Sequence, residues 1–157
     1  MITGNPGLIS YYQPFLDHLH TLLDTPGQAA NLHIYGASLS GFEVTQLPPT
    51  QPLGLHDQIT SVWNRLVAIT DRLQVQTTTA PSVILIGHSV GAYVLLELIS
   101  RWQELRKDDV EAAAIEIMGG ICLFPTIVDI AKSPTGRKMT VRLTSSPPLF
   151  QSLSAID

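Results

Sequence analysis

The 157-residue chain is 45% hydrophobic and only 14% charged, enough apolar material for one ordinary packed domain, and this excludes an intrinsically disordered protein. Its formal net charge of −4 is spread along the sequence without runs, so nothing points to nucleic acid or an anionic membrane surface as a partner. The single cysteine, Cys122, cannot form an intrachain disulfide and reads as a buried structural thiol, which fits a cytosol-facing protein.

Met1 leads at once into Ile2-Thr3-Gly4-Asn5-Pro6-Gly7, a loop built from turn formers and lacking the charged and apolar regions of a signal peptide. Ser10 then begins a helical pattern, with Gln13 three residues later as a capping box. Tyr12, Phe15, Leu16, Leu19, Leu22 and Leu23 give it one apolar face, Pro14 falls in its first turn, and Thr25-Pro26-Gly27 stops it. Leu32-His33-Ile34-Tyr35 reads as a short strand ending at Gly36, followed by a loop rich in Gly, Ser and Pro as far as Gly54.

A second amphipathic helix is predicted around Ile59, Val62, Trp63, Leu66, Val67 and Leu73. The apolar run Ser82-Val83-Ile84-Leu85-Ile86 is the next strand. Val90, Val94, Leu95, Leu98, Ile99, Trp102 and Leu105 then recur at helical spacing as far as Arg106-Lys107-Asp108. Gly120-Ile121-Cys122-Leu123-Phe124 is a further strand, closed by Pro125. Strands alternating with helices predict an α/β domain with a mostly parallel sheet and flanking helices. Residues 1–139 carry this pattern, whereas 140–157 have no clear period and read as a tail or the start of a cap or lid. The apolar stretches Ser82–Ser100 and Ala112–Ala131 are interrupted by charged residues and a proline, so no transmembrane helix is expected.

The most informative stretch is Gly87-His88-Ser89-Val90-Gly91, which matches Gly-x-Ser-x-Gly between the predicted strand and the helix after it. That is the context of a nucleophile elbow, in which two glycines let strand and helix meet sharply and leave a strained serine at the apex. The helix N-terminus behind the serine favours the negative charge that develops in acyl transfer. No Gly-x-Gly-x-x-Gly or Gly-x4-Gly-Lys-Ser/Thr follows any strand, which sets a nucleotide-binding domain aside. His18 and His20 have no further ligands near them in sequence, so neither a metal site nor a cofactor is expected.

Gly4-Asn5-Pro6-Gly7 with Tyr11, Tyr12 and Phe15 is one landmark; Leu55-His56-Asp57-Gln58-Ile59 and Leu85 to Tyr93 around the serine are two more. Leu123-Phe124-Pro125-Thr126-Ile127 and Ser133-Pro134-Thr135-Gly136 complete the set. Together they resemble the lipid droplet-associated hydrolases of the α/β-hydrolase superfamily. The resemblance implies a serine esterase of lipid droplets, with a cytosolic or endoplasmic reticulum pool, acting on lipid or sterol esters and contributing to lipid storage or turnover. It implies Ser89 as nucleophile between the elbow glycines Gly87 and Gly91, and the Val90 N–H as one oxyanion donor. Pro6 has no N–H, so the resemblance gives the second donor to Asn5; Thr3 stands where related loops often carry histidine.

The sequence also departs from that pattern. A hydrolase of this type uses an acid and a histidine placed after the serine, yet His18, His20, His33, His56 and His88 all precede Ser89. His88 is the variable residue of the elbow, its side chain expected to point away from the serine, and Asp129 is read as a solvent-facing residue. The loop at Gly4 leaves Met1 to Thr3 as all there is of a central strand, so the strands at Leu32 and Val83 are expected to lack their shared neighbour. These departures predict a partial α/β-hydrolase fold lacking the first strands and the C-terminal part, an internal piece of a longer hydrolase or a truncated form, inactive alone. The alternative is a non-catalytic lipid-droplet scaffold or partner-binding protein on a hydrolase fold.

Overall fold

A computed structural model describes residues 1–24, 32–43, 51, 53–74, 80–128 and 132. The chain divides into two compact units, Met1–Pro125 and Thr126–Asp157. Asp129, the Ser133–Gly136 landmark and the 140–157 tail of the second unit lie outside the described residues, as do Thr25-Pro26-Gly27.

In the first unit a 3-10 turn (Ile9–Tyr12) runs into α1 (Gln13–Leu23), followed by α2 (Leu55–Gln74), β1 (Ser82–His88), α3 (Val90–Leu105), the single turn α4 (Val110–Ala113) and β2 (Glu116–Leu123). β1 and β2 pair in parallel from Ser82↔Glu116 to His88↔Leu123, with one register shift between Val83 and Ile84. The result is a small parallel sheet with helices, compatible with part of an α/β fold.

The core sits between this sheet and the helices. Val94, Leu95 and Leu98 on α3 are fully buried, and Val62, Trp63 and Leu66 of α2 meet them together with Leu85, Ile115 and Ile117. Burying a side chain of that size contributes roughly 1.5–3 kcal/mol, so α3, apolar along its length, is the element about which the unit is organised. Trp102 closes the far end of the core, and its indole N–H donates to the carbonyls of Ala112 (3.1 Å) and Ile115 (3.0 Å). Those two bonds fix the turn between α4 and β2. Cys122 is half-buried at the margin of the core rather than enclosed in it.

Three expectations are corrected. The predicted strand at Leu32–Tyr35 does not form a ladder; pairing there is reduced to one parallel bridge between Ala37 and Ile2. The physical reason is that a ladder needs a run of paired residues, and among the described residues the segment meets its neighbour only at that bridge. Side chains anchor the next residues instead: Gln58 of α2 accepts from the Ser40 amide (2.7 Å) and donates to its carbonyl (2.9 Å), and Arg65 donates to the Ser38 carbonyl (2.6 Å).

Ser10 does not cap a helix. The chain turns through the 3-10 segment first, Tyr12 is the N-cap residue of α1, and no side chain caps it. Pro14 does lie in the first turn, as its missing N–H requires. The apolar face of α1 is also left largely uncovered: none of its residues is buried, and Phe15, Leu22 and Leu23 are exposed.

The expected gap at the centre of the sheet is bridged by one residue. Ile2 pairs in parallel with Ala37 on one side and Gly87 on the other. Its N–H donates to the Ile86 carbonyl (2.7 Å), its carbonyl accepts from His88 N–H (3.1 Å), and the Met1 carbonyl accepts from Ala37 N–H (3.2 Å). Ile2 is buried within the core. The N-terminal residues therefore occupy the position between the two segments that had seemed to lack a common neighbour.

Candidate active site

β1 ends at His88 and α3 begins at Val90, so Ser89 alone makes the turn between them. Its backbone is at φ 53° and ψ −121°, a conformation that L residues other than glycine rarely adopt and that costs on the order of 1–3 kcal/mol. The surroundings hold it there. Ser89 N–H donates to the Leu123 carbonyl at the end of β2 (3.0 Å), and the Ser89 carbonyl accepts from Ala92 N–H (3.0 Å). The Ser89 side chain does not cap the helix that it precedes.

The flanking glycines have a steric reason. A Cβ on Gly87 would run into the Gly91 carbonyl group and the Cα of Ala92 (2.8 Å), and one on Gly91 would strike the Thr3 carbonyl oxygen (2.6 Å). Strand, helix and the N-terminal segment thus converge at one point that admits no further carbon atom.

The Gly4–Gly7 loop lies directly against this turn. A Cβ on Gly4 would lie 2.8 Å from the Cβ of Ser89 and 2.7 Å from both the carbonyl oxygen and Nδ1 of His88. The loop closes on itself through Gly7 N–H to the Gly4 carbonyl (2.7 Å), and the buried Thr3 hydroxyl donates to the Gly7 carbonyl (3.2 Å). The Asn5-Pro6 peptide is cis. Gly4 N–H donates to the Tyr12 hydroxyl (3.1 Å), Gly7 N–H is used within the loop, and Pro6 has none. Asn5 therefore carries the one loop N–H without a partner among the described residues. Val90 opens α3, where the first amides have no partner within the helix, and its N–H likewise finds no acceptor among the described residues.

His88 is half-buried and engaged. Its Nδ1 lies 2.9 Å from the Tyr12 hydroxyl oxygen, and its ring meets Tyr12 and Phe124 edge-on at centroid distances of 5.5 and 6.0 Å. Phe124 follows β2 at a positive φ of 46° and is 84% exposed. Sequence reasoning did not find the Tyr12–His88 pair. Tyr12 was noted only as a helix residue and family landmark, and 76 positions separate it from its partner.

The structure does not bring the other histidines together with Ser89 through any contact among the described residues. His18 and His20 lie exposed on α1, and His33 stacks on Tyr35. His56 lines an open groove of about 600 Å³ along α2 with Asp57, Thr60, Ser61, Asn64 and Arg65, and Ser89 is not among its lining residues. No group of three His, Cys, Asp or Glu residues is placed to hold a metal ion among the described residues, and none of the described helices is long and apolar enough to cross a membrane.

The model of the lipid-droplet associated hydrolase family matches residues 1–157, the whole chain. The chain belongs to that family. Curated members similar to it are named lipid droplet-associated hydrolase. The Gallus gallus protein is 30% identical over 146 residues, the Mus musculus protein 30% over 148 and the Homo sapiens protein 27% over 143. Each alignment covers 89% of this chain but only 40% or 41% of the relative, so the chain spans about two-fifths of the length of these family members. No solved structure matches it. Within the family frame, the residues that meet at the Ser89 turn come from the opening loop, the start of α1 and the ends of both strands.

Proposed function

We propose that this chain carries the nucleophile and oxyanion loop of an α/β-hydrolase-type serine esterase that acts on lipid or sterol esters at lipid droplets. The observation that carries this reading is the turn at Ser89. A serine at positive φ joins a parallel strand to a helix, with glycines where any Cβ would clash and a second loop packed against its own Cβ. Family membership adds the cellular setting, because the relatives are named lipid droplet-associated hydrolase.

In this reading Ser89 Oγ attacks the ester carbonyl as its proton passes to a base. The carbonyl oxygen becomes an oxyanion held by the N–H groups of Val90 and Asn5, with the start of α3 contributing its positive end. Collapse of the tetrahedral species expels the alcohol, protonated by the same base, and water then releases the acyl group. The base is assigned outside these residues, since all five histidines precede Ser89 and the chain spans about two-fifths of the relatives' length. The alternative reading is a droplet-bound scaffold without catalysis.

Labelling by a fluorophosphonate probe decides between them. Labelling of a longer form that carries a histidine after Ser89, abolished by Ser89→Ala, is the expected result. A folded longer form that stays unlabelled would overturn the esterase reading and leave the scaffold.

A further inference from the structure

Asn5 and Pro6 of the Gly4–Gly7 loop are exposed, and its backbone hydrogen bonds close the turn and hold its Gly7 end to Leu39 rather than its Gly4 end to the serine turn. The tie comes from elsewhere. Gly4 N–H donates to the Tyr12 hydroxyl at 3.1 Å, and that hydroxyl lies 2.9 Å from His88 Nδ1. His88 is the residue next to Ser89, and its ring is set edge-on between Tyr12 and Phe124. The opening loop and the start of α1 are thus joined to the distant end of β1 by one line of polar atoms that ends beside the strained turn.

The Tyr12 oxygen accepts from Gly4 and still carries a proton to donate, and the arrangement in which that proton goes to His88 Nδ1 makes the line run in one direction. Bonds running in one direction polarise one another, which strengthens each link. We propose that Tyr12 and His88 are a positioning pair that locks the Gly4–Gly7 loop against the Ser89 turn through Gly4 N–H, Tyr12 Oη–H and His88 Nδ1, with His88 held as the Nε2–H tautomer.

The consequence for the site rests on the reading of Ser89 as nucleophile. Committing Gly4 N–H to Tyr12 leaves Asn5 N–H as the loop's donor, and the pair fixes the distance between that donor and the serine. Neither side chain touches the reacting atoms in this scheme. Both act through the loop.

The pair is tested on the 157-residue chain by amide hydrogen exchange at Gly4 and by long-range ¹⁵N–¹H spectra of His88. In Tyr12→Phe, exchange at Gly4 is expected to speed up by about five- to tenfold, the scale of one lost hydrogen bond, while Leu95 and Leu98 amides keep their protection. The His88 spectrum is expected to show the Nε2–H tautomer in the unaltered chain and to shift in the variant. His88→Asn, which keeps an acceptor on a short side chain, is expected to retain Gly4 protection, whereas His88→Leu loses it. Unchanged Gly4 exchange in Tyr12→Phe, or a His88 locked as the Nδ1–H tautomer, would overturn the pair. None of these readouts depends on catalysis, so failure of the serine to label would remove the esterase reading without being mistaken for failure of the pair.

Discussion

The carbonyl oxygen of Thr3 lies so close above Gly91 that a Cβ there would sit 2.6 Å from it. This contact joins the first residues of the chain to the first turn of α3, and Ile2 beside it is paired on both flanks. The serine turn and the N-terminal segment are consequently a single packed unit, and each depends on the other for its conformation.

Gly91→Ala is therefore expected to force the N-terminal segment off the helix. Overpacking of this kind costs about 2–3 kcal/mol, because the obstacle is backbone and has no rotamer to move. Urea denaturation measures the loss. A stability within about 0.5 kcal/mol of the unaltered chain, the usual range of surface substitutions, would show that the segment lifts away freely.

Two replacements at Ser89 separate strain from chemistry. Glycine adopts the Ser89 backbone conformation without penalty, whereas alanine keeps the strained φ of 53°. Ser89→Gly is expected to be more stable than Ser89→Ala by about 1 kcal/mol, after the extra unfolded-state freedom of glycine is subtracted. Thermal unfolding of the two variants side by side reads the difference, and equal midpoints would mean that the turn holds no strain.

Leu95, fully buried on α3, tests the core. Leu95→Ala is expected to destabilise the chain by about 3 kcal/mol, since the deleted methyl groups leave a cavity between α3 and the sheet. Its side chain also fills the space over Gly120, where a Cβ would meet it. The urea midpoint should fall at an unchanged slope.

The Met1 amine gives a pH dependence. Burial lowers its pKa from the ordinary 8.0 to about 6, so the folded state favours the neutral amine. Its contribution to stability is complete above pH 8, declines as pH falls from 8 toward 6, and is constant below that. A shift of that size corresponds to about 3 kcal/mol. Unfolding at pH 8.5 and pH 6 should show the decline in the free chain, and a chain acetylated at the amine should lack it.

The elements with a strong helical or strand period were legible from the residues: α2, β1 and α3 stand where their apolar spacing put them. α4 was missed because Val110–Ala113 is one turn, too short to carry a period. β2 begins at Glu116, four residues before the apolar run that signalled it, because Met118 and Gly119 read poorly as strand; Glu116, Ile117 and Gly119 are held by pairing with β1, with Met118 at the register shift. The false strand at Leu32–Tyr35 has the same explanation in reverse: its composition suits a sheet, but a ladder needs a run of paired residues, and the partner is not written in the segment itself. The glycines around Ser89 were read correctly as a sharp turn, yet the collision that requires Gly91 comes from the Ile2 and Thr3 carbonyls, far away along the chain. Tyr12 could not have been matched to His88 from local pattern at all, since their contact exists only once the loop has folded onto the strand.

Parallel pairing has a further consequence for how such a molecule diversifies. Ile2, β1 and β2 run in the same direction, so the chain leaves the sheet after Thr3, after His88 and after Leu123 at one common end. Of these three exits, the one after His88 is pinned by steric contact with glycines and the one after Thr3 by Gly4, which packs against His88 and Ser89, while the one after Leu123 leads into the exposed Phe124. Changes in length and composition are best tolerated at the exit after Leu123, so a rim meeting new ligands would be remodelled there while the serine turn and the loop packed onto it stay unaltered.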